Sequence, residues 1–227
     1  MRKRVVMSWS GGKDSGLALL QLLSDPLVEI VGLLTTITET DGRISMHGVR
    51  VELLRQQAES IRLPLIEVWI PSGCTNEIYE NRMIEAYRNP LMISADAVAS
   101  GDLFLESVRA YREERIASAN KEALFPIWGR PSLEVAKATI DLGIEAIVTS
   151  VDPSQTDPDI CGKEFDLDLL AGLPTDVDPC GENGEFHTFV VSGPFLAERV
   201  SVQRGEIVQR DGFVFADLVP TGLENAL

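Results

Sequence analysis

The sequence predicts an α/β fold: a parallel sheet with helices on both faces, followed by a small C-terminal β-rich subdomain. Three observations carry this expectation. Apolar, strand-like runs alternate with helical periodicity over residues 5–151. The first strand passes into the first helix through a glycine-rich turn, Ser10-Gly11-Gly12-Lys13-Asp14-Ser15. Beyond residue 152 the rhythm is broken by Pro153, Pro158, Pro174 and Pro179, and short β patterns with turn signals take over. The expected division is a nucleotide-site domain at 1–152 and a subdomain at 153–227, its β-rich part at about 170–220.

Taken in order, residues 5–9 read as a buried strand and 14–23 as the helix behind it, with Leu17, Leu20 and Leu23 at helical spacing. Residues 30–35 form a second strand. The helix at 49–61 puts Val51, Leu54, Ala58 and Ile61 on one face. A third strand at 65–70 precedes a helix at 76–87. A short strand at 97–99 is ended by Ser100-Gly101-Asp102, and a long charged helix covers 103–119. Residues 124–127 read as a strand, 132–142 as a helix behind Pro131, and 146–151 as a further strand of the parallel sheet. In the subdomain, 189–191 and 200–202 read as strands, with hairpin turns at 203–206 and 210–212. Ligands of parallel α/β sheets sit beyond the carboxyl ends of the strands. The Ser10 loop, Thr35-Thr36, Gly101-Asp102, Trp128-Gly129-Arg130 and Ser150 all fall at such ends.

The glycine-rich turn has the form of a phosphate cradle. Glycines let backbone approach an anion, and a helix N-terminus offers free N–H groups and the positive end of its dipole. A Walker loop places Ser or Thr directly after Gly-Lys, whereas Asp14 follows Gly12-Lys13. A dinucleotide fingerprint needs G-x-G-x-x-G, and Gly11, Gly12 and Gly16 lack that spacing. The SGGxDS loop that remains resembles the pyrophosphate-binding loop of the N-type ATP pyrophosphatases, which cleave ATP to AMP and pyrophosphate.

Composition excludes several classes. The formal net charge is −15, which argues against non-specific nucleic-acid binding. The local run Arg109-Ala-Tyr-Arg-Glu-Glu-Arg115 reads as a solvated helix face with i,i+4 ion pairs. No apolar stretch approaches the ~20 residues of a membrane span. Behind the basic N-terminus, Ser8, Ser10 and Lys13 interrupt any signal-like core, so a cytoplasmic enzyme is expected. The three cysteines, Cys74, Cys161 and Cys180, form no CxxC pair, which disfavours a zinc or iron–sulfur site and a disulfide framework.

A second anomaly lies at Asp178-Pro179-Cys180-Gly181-Glu182-Asn183-Gly184-Glu185-Phe186-His187-Thr188. Turn formation explains Asn183-Gly184 and Asp178-Pro179. It does not require Glu182, Glu185 and His187 as well. The chain holds just two histidines, His47 and His187.

SGGKDS, GDLFLESVRAYREER, LFPIWGR and DPCGENGEFHTFV, in that order and over nearly the whole chain, resemble the diphthine–ammonia ligase family of ATP pyrophosphatases. The resemblance implies a HUP-like (adenine nucleotide α-hydrolase-like) fold and an adenylating ligase using ATP and Mg²⁺. In that family ATP activates the carboxylate of diphthine, a modified histidine on translation elongation factor 2, and ammonia displaces AMP to give the amide. Bacteria lack diphthamide yet carry relatives, and Gly101-Asp102-Leu103 before a long charged helix is similar to that branch. The chemistry therefore carries over further than the substrate.

The implied nucleotide site comprises Ser8, the loop Ser10, Gly11, Gly12, Lys13, Asp14 and Ser15, then Thr35, Thr36, His47, Gly101 and Asp102. Lys13 would add a point charge, and Asp14 would orient the loop or hold Mg²⁺ through water. Trp128, Gly129 and Arg130, with Gly181, Glu182, Asn183, Glu185 and Thr188, would meet the acceptor. Glu182, Glu185 or His187 would act as base, and the residues leave that choice open. Cys180 reads as a packed thiol. A tRNA-modifying relative of the same loop and a non-catalytic ATP sensor are the rival readings. A homodimer through an edge strand of the C-terminal hairpins is expected.

Overall fold

The computed structural model describes residues 1–221; residues 222–227, the end of the expected subdomain, lie outside the described residues. The first sheet is built on β1 (Lys3–Ser8), flanked by β2 (Val28–Thr38) and β5 (Ala97–Ala99), all parallel. β4 (Leu65–Ile70) extends it beside β2 and β6 (Glu122–Leu124) beside β5, again parallel. A two-residue strand, β3 (Arg43–Ile44), pairs antiparallel with the end of β2.

Alternation along the strands explains why helices cover both faces. Val5, Met7, Leu33 and Ala99 point into one core, with α1 (Lys13–Leu23), α2 (Val51–Ile61) and α6 (Ser132–Asp141). Val6, Leu34, Val68 and Val98 point into the other, against α3 (Asn76–Ala86), α4 (Pro90–Ser94) and α5 (Glu106–Ser118). Among the described residues no helix is long and apolar enough to cross a membrane.

The second sheet is antiparallel, in the order β8-β7-β10-β9, from β7 (Glu145–Val151), β8 (Phe186–Ser192), β9 (Val202–Arg210) and β10 (Phe213–Pro220). This corrects two expectations. β7 does not join the parallel sheet but pairs antiparallel with β8 and β10. Its residues Ala146–Val151 are buried on both faces, and a continuous apolar run looks the same in either kind of sheet. By sheet membership the chain divides between β6 and β7. Residues 203–206, expected as a turn, lie inside β9, where Gly205 packs closely on β10: an added Cβ would stand 3.1 Å from the Asp217 carbonyl. The turn expected at 210–212 is present and joins β9 to β10, with Asp211 and Gly212 at φ 52° and 85°. β9 is the outer strand, and Ile207 on it is 55% exposed.

One buried amide ties the two sheets to the glycine loop. Gln57 on α2 is fully buried. Its Oε1 accepts from Trp9 Nε1 at 2.9 Å, and its Nε2 donates to the carbonyls of Gly11 (3.1 Å) and Val190 (2.6 Å). Replacing Gln57 by Leu strands a buried donor and two acceptors, so urea unfolding is expected to lose about 2–3 kcal/mol; a change below about 0.5 kcal/mol would remove this role. A second tie is electrostatic: Asp217 on β10 takes Arg50 at 2.7 Å and Arg43 at 2.9 Å. The hydrogen bond from Arg50, then those of Arg43, hold its carboxyl down at about 2 despite partial burial.

Candidate functional site

The glycine loop leaves β1 at its carboxyl end and enters α1. Gly11 has φ +78°, a left-handed conformation, and a Cβ there would lie 2.9 Å from Gln57 Oε1. Gly12 is the N-cap and carries no side chain to close the helix end. A Cβ on Gly12 would stand 3.0 Å from the Thr188 carbonyl, so the second sheet presses on this turn. Ser10 Oγ and Ser15 Oγ are 3.0 Å apart, and Ser15 Oγ also donates to the Gly12 carbonyl at 2.9 Å. Gly101, after β5, comes so close that a Cβ would lie 2.9 Å from Asp14 and Ser15 backbone.

Lys13 does not project into the cleft as a point charge. It is 1% exposed and lies over the rings of Phe165 (5.0 Å) and Phe186 (5.3 Å). Its Nζ donates to Asp14 Oδ2 at 2.8 Å and to the Cys180 carbonyl. Burial works against its charge, but Asp14, Cys180 and Asp178 outweigh it and raise the amine above its ordinary value. Lys13 thus stitches the loop to the second motif.

The second motif is held by its own acids. Asp178 Oδ1 accepts from Ser132 Oγ and from the N–H groups of Cys180 and Glu182 at 2.8–3.1 Å. Glu185, 3% exposed, accepts from Asp178 N–H, Asn183 N–H and Asn183 Nδ2 at 2.9–3.0 Å. Both its oxygens are engaged, and Asn183 is engaged with it. Gly181, at φ +71°, packs its backbone on Phe186. Thr188 Oγ1 accepts the Lys13 N–H at 3.1 Å, capping α1 from across the junction. Cys180 is 2% exposed, and burial pushes its thiol up to about 12, which makes it a packed group.

Glu182 differs from Glu185. Its Oε1 accepts the Leu103 N–H at 2.8 Å, which brings it beside Asp102. Burial pushes its carboxyl up to about 7, the Leu103 bond opposes, and the charges of Asp14 and Asp102 add to the rise. Asp14 Oδ1 is buried without a hydrogen-bond partner, and Asp102 pairs with Arg112 at 2.9 Å. An orphan carboxylate oxygen in the first turn of this helix suits water-mediated contact with a cation carried by a phosphate. Among the described residues no three His, Cys, Asp or Glu form a metal site by themselves, so a Mg²⁺ would lean on substrate oxygens and water.

A cavity of about 570 Å³ opens beyond the carboxyl ends of β1, β2 and β5. It collects Ser8, Ser10, Thr35, Thr36, His47 and His187. The two imidazoles lie against each other, ring centres 4.5 Å apart. Burial, then Lys13, lower His47 to about 4 against the hydrogen bond to the Thr188 carbonyl. Burial, then His47 and Lys13, hold His187 well below its ordinary value, and its Nε2 has no partner. Both are therefore neutral, and His47 Nδ1 carries the proton it donates to Thr188.

Trp128, Gly129 and Arg130 do not line this cavity. Trp128 and Phe125 hold the Arg109 guanidinium at 4.7 and 5.1 Å, and Gly129 N–H donates to the Leu103 carbonyl. They buttress the loop that Glu182 also grips. Sequence reasoning missed Gln57, and it missed Tyr79, Tyr87 and Tyr111, which line the far half of the cavity. A signal was present for two of the tyrosines: Tyr79, Met83 and Tyr87 stand at i, i+4 and i+8, one face of α3 and its C-cap.

A glycine-rich turn at the carboxyl edge of a parallel sheet, with an antiparallel sheet that caps the same helix, defines a two-sheet α/β protein. A family model described as "Diphthamide synthase N-terminal domain" matches residues 2–122, and one described as "Diphthamide synthase C-terminal domain" matches residues 132–217. The chain belongs to the diphthamide synthase family. A diphthine–ammonia ligase of Bos taurus is similar to it, 27% identical over 128 residues, which are 53% of this chain and 47% of that protein. The chain spans about half the length of that relative.

Proposed function

We propose that this chain is an ATP-dependent carboxylate–ammonia ligase. The observation that carries the reading is the junction of its two unusual motifs: Thr188 caps the glycine-loop helix, and Lys13 of that loop reaches the Cys180 carbonyl. The loop read as a phosphate cradle and the loop rich in acids are thereby held side by side, which supports the reading.

In the proposed reaction an acceptor carboxylate oxygen attacks the α-phosphorus of ATP. The bond to pyrophosphate breaks, giving an acyl-adenylate. Ammonia then attacks the acyl carbon, the bond to AMP breaks, and the proton lost by nitrogen passes to Glu182. The backbone of Gly11 and Gly12, with Ser10 and Ser15, would hold the departing pyrophosphate. Ser8, Thr35, Thr36 and His47 would line the nucleoside, with Gly101 and Asp102 beside the loop. Mg²⁺ neutralises phosphate charge when bound, and Asp14 would hold it through water. Glu185 and Asn183 would shape the turn rather than touch the acceptor. His187, neutral, would offer Nε2 as a hydrogen-bond acceptor. The cytoplasm suits three free thiols, and self-association through the β9 edge belongs to the same proposal.

The test is AMP and pyrophosphate release from Mg-ATP with ammonium, with and without elongation factor 2 carrying diphthine. Release that needs the modified factor makes diphthine the acceptor, the substrate named for the bovine relative. Release with small carboxylates keeps the chemistry and moves the acceptor. Asp14→Ala is expected to abolish turnover. ATP bound with no AMP under any condition would replace the ligase with a sensor.

A further inference from the structure

Away from the glycine loop the same cavity runs on between α3 and α5. These helices cover the second core mainly with partly buried residues, such as Tyr79 and Met83 on α3. α3 buries none of its residues and α5 buries Ile116 alone, while Ile84 on α3 stays 56% exposed. The cleft between them gathers all three tyrosines of the chain, Tyr79, Tyr87 and Tyr111. Burial raises the Tyr79 phenol and pushes Tyr87 up to about 12, so both stay neutral donors.

Charge in the cleft runs against that of the chain. Arg88, Arg112 and Arg115 line it with one carboxylate, Glu80, in a protein of net charge −15. Arg115 pairs with Glu80 at 2.5 Å and lies 5.4 Å from the Tyr111 ring centre. Arg112 reaches Asp102 at 2.9 Å, linking the cleft to the acid group beside the glycine loop. Arg88 is exposed.

Resting on the ligase reading above, we infer that this cleft seats the body of the acceptor, and that the acceptor is a small anionic molecule. A planar ring would pack on the tyrosine faces, and a negative group beyond the reacting carboxylate would meet Arg88 and Arg115. Asp102 and Glu80 already balance Arg112 and Arg115, and the remaining charge at the cleft, on Arg88, opposes a cationic tail. The whole cavity, about 570 Å³, shared with the nucleoside, leaves room for a ligand of small-molecule size. The reacting carboxylate would lie at the Arg112 end of the cleft, where Arg112 meets Asp102.

Equilibrium binding to the full chain, with a non-hydrolysable ATP analogue present, tests this with three probes. N-benzoyl-L-glutamate has a ring and two carboxylates, N-benzoyl-L-arginine a ring, a carboxylate and a cation, and glutarate two carboxylates without a ring. Benzoylglutamate is expected to bind about 10-fold tighter than either of the others. Arg88→Glu, at an exposed site that folding does not need, and Tyr87→Leu are each expected to weaken it about 10-fold, leaving affinity for the ATP analogue unchanged. Benzoylarginine binding as tightly, or no benzoylglutamate binding at all, would overturn the anionic acceptor. A loss of ATP-analogue affinity in both variants would make the cleft the nucleobase pocket and also overturn it. Failure of the unsubstituted chain to bind the ATP analogue would instead sink the ligase reading itself.

Discussion

Replacing Glu182 with glutamine is expected to lower ammonium-dependent amide formation by about 10²–10⁴-fold, and to flatten the pH profile. In the unsubstituted chain the rate, measured at constant free ammonia, should climb as pH rises through about 7, where the Glu182 carboxyl titrates. Below that pH the group carries a proton and cannot accept another. Burial causes the upward shift first, with Asp14 and Asp102 adding to it and the Leu103 N–H opposing. The same shift acts on stability with the opposite sense. A carboxyl raised in the fold contributes stability fully below its ordinary value of 4.5. That contribution is lost as pH rises through about 7. Glu182→Gln, which mimics the protonated form, should remove this pH slope from urea unfolding as well. A variant that keeps the wild-type pH–rate profile would show that another group takes the proton. Glu185→Gln should act through stability: its oxygens hold the turn from Asp178 and Asn183, so urea unfolding shifts to lower denaturant.

The second large effect is expected at Lys13. Lys13→Met keeps much of the volume between Phe165 and Phe186 but removes the donor to the Cys180 carbonyl and the partner of Asp14. Breaking a buried charge pair costs about 3–5 kcal/mol. Asp14 is 24% exposed, so water screens part of the loss, and about 3 kcal/mol in urea unfolding is expected. A phosphate-binding lysine would act otherwise: its loss would weaken ATP-analogue binding and leave stability near its starting value. That pattern, with unfolding shifted by less than about 0.5 kcal/mol, would return Lys13 to the role read from the sequence.

Local elements were legible from the chain because local spacing determines them. The passage from β1 through Gly11 and Gly12 into α1 rests on residues adjacent in sequence, so its expected and observed forms agree. The strand at Leu65–Ile70 agrees for the same reason. The acids of 178–188 were marked as unusual by composition, but their roles were not readable. Glu182 and Glu185 are three residues apart and chemically alike. One turns into its own loop and is consumed by backbone donors, while the other crosses to Leu103 on a different element.

Long-range pairing decided the rest. β7 carries a run of buried residues that either sheet could accommodate, and partners in β8 and β10, downstream in the chain, selected the antiparallel one. Gln57 looks like a polar helix residue until Trp9, Gly11 and Val190 close around it. Tyr79 and Tyr87 share one face of α3 and its C-cap at i and i+8, but Tyr111 lies on α5, and the three become one surface when the two helices frame the cavity. By itself the sequence determined the alternating α/β order, the glycine cradle and the family motifs, since each depends on spacing within one segment. Tertiary structure alone decided which carboxylate reaches Leu103, where Lys13 places its charge and what lines the far half of the cavity. Those depend on burial and on partners from distant segments, which no local pattern encodes.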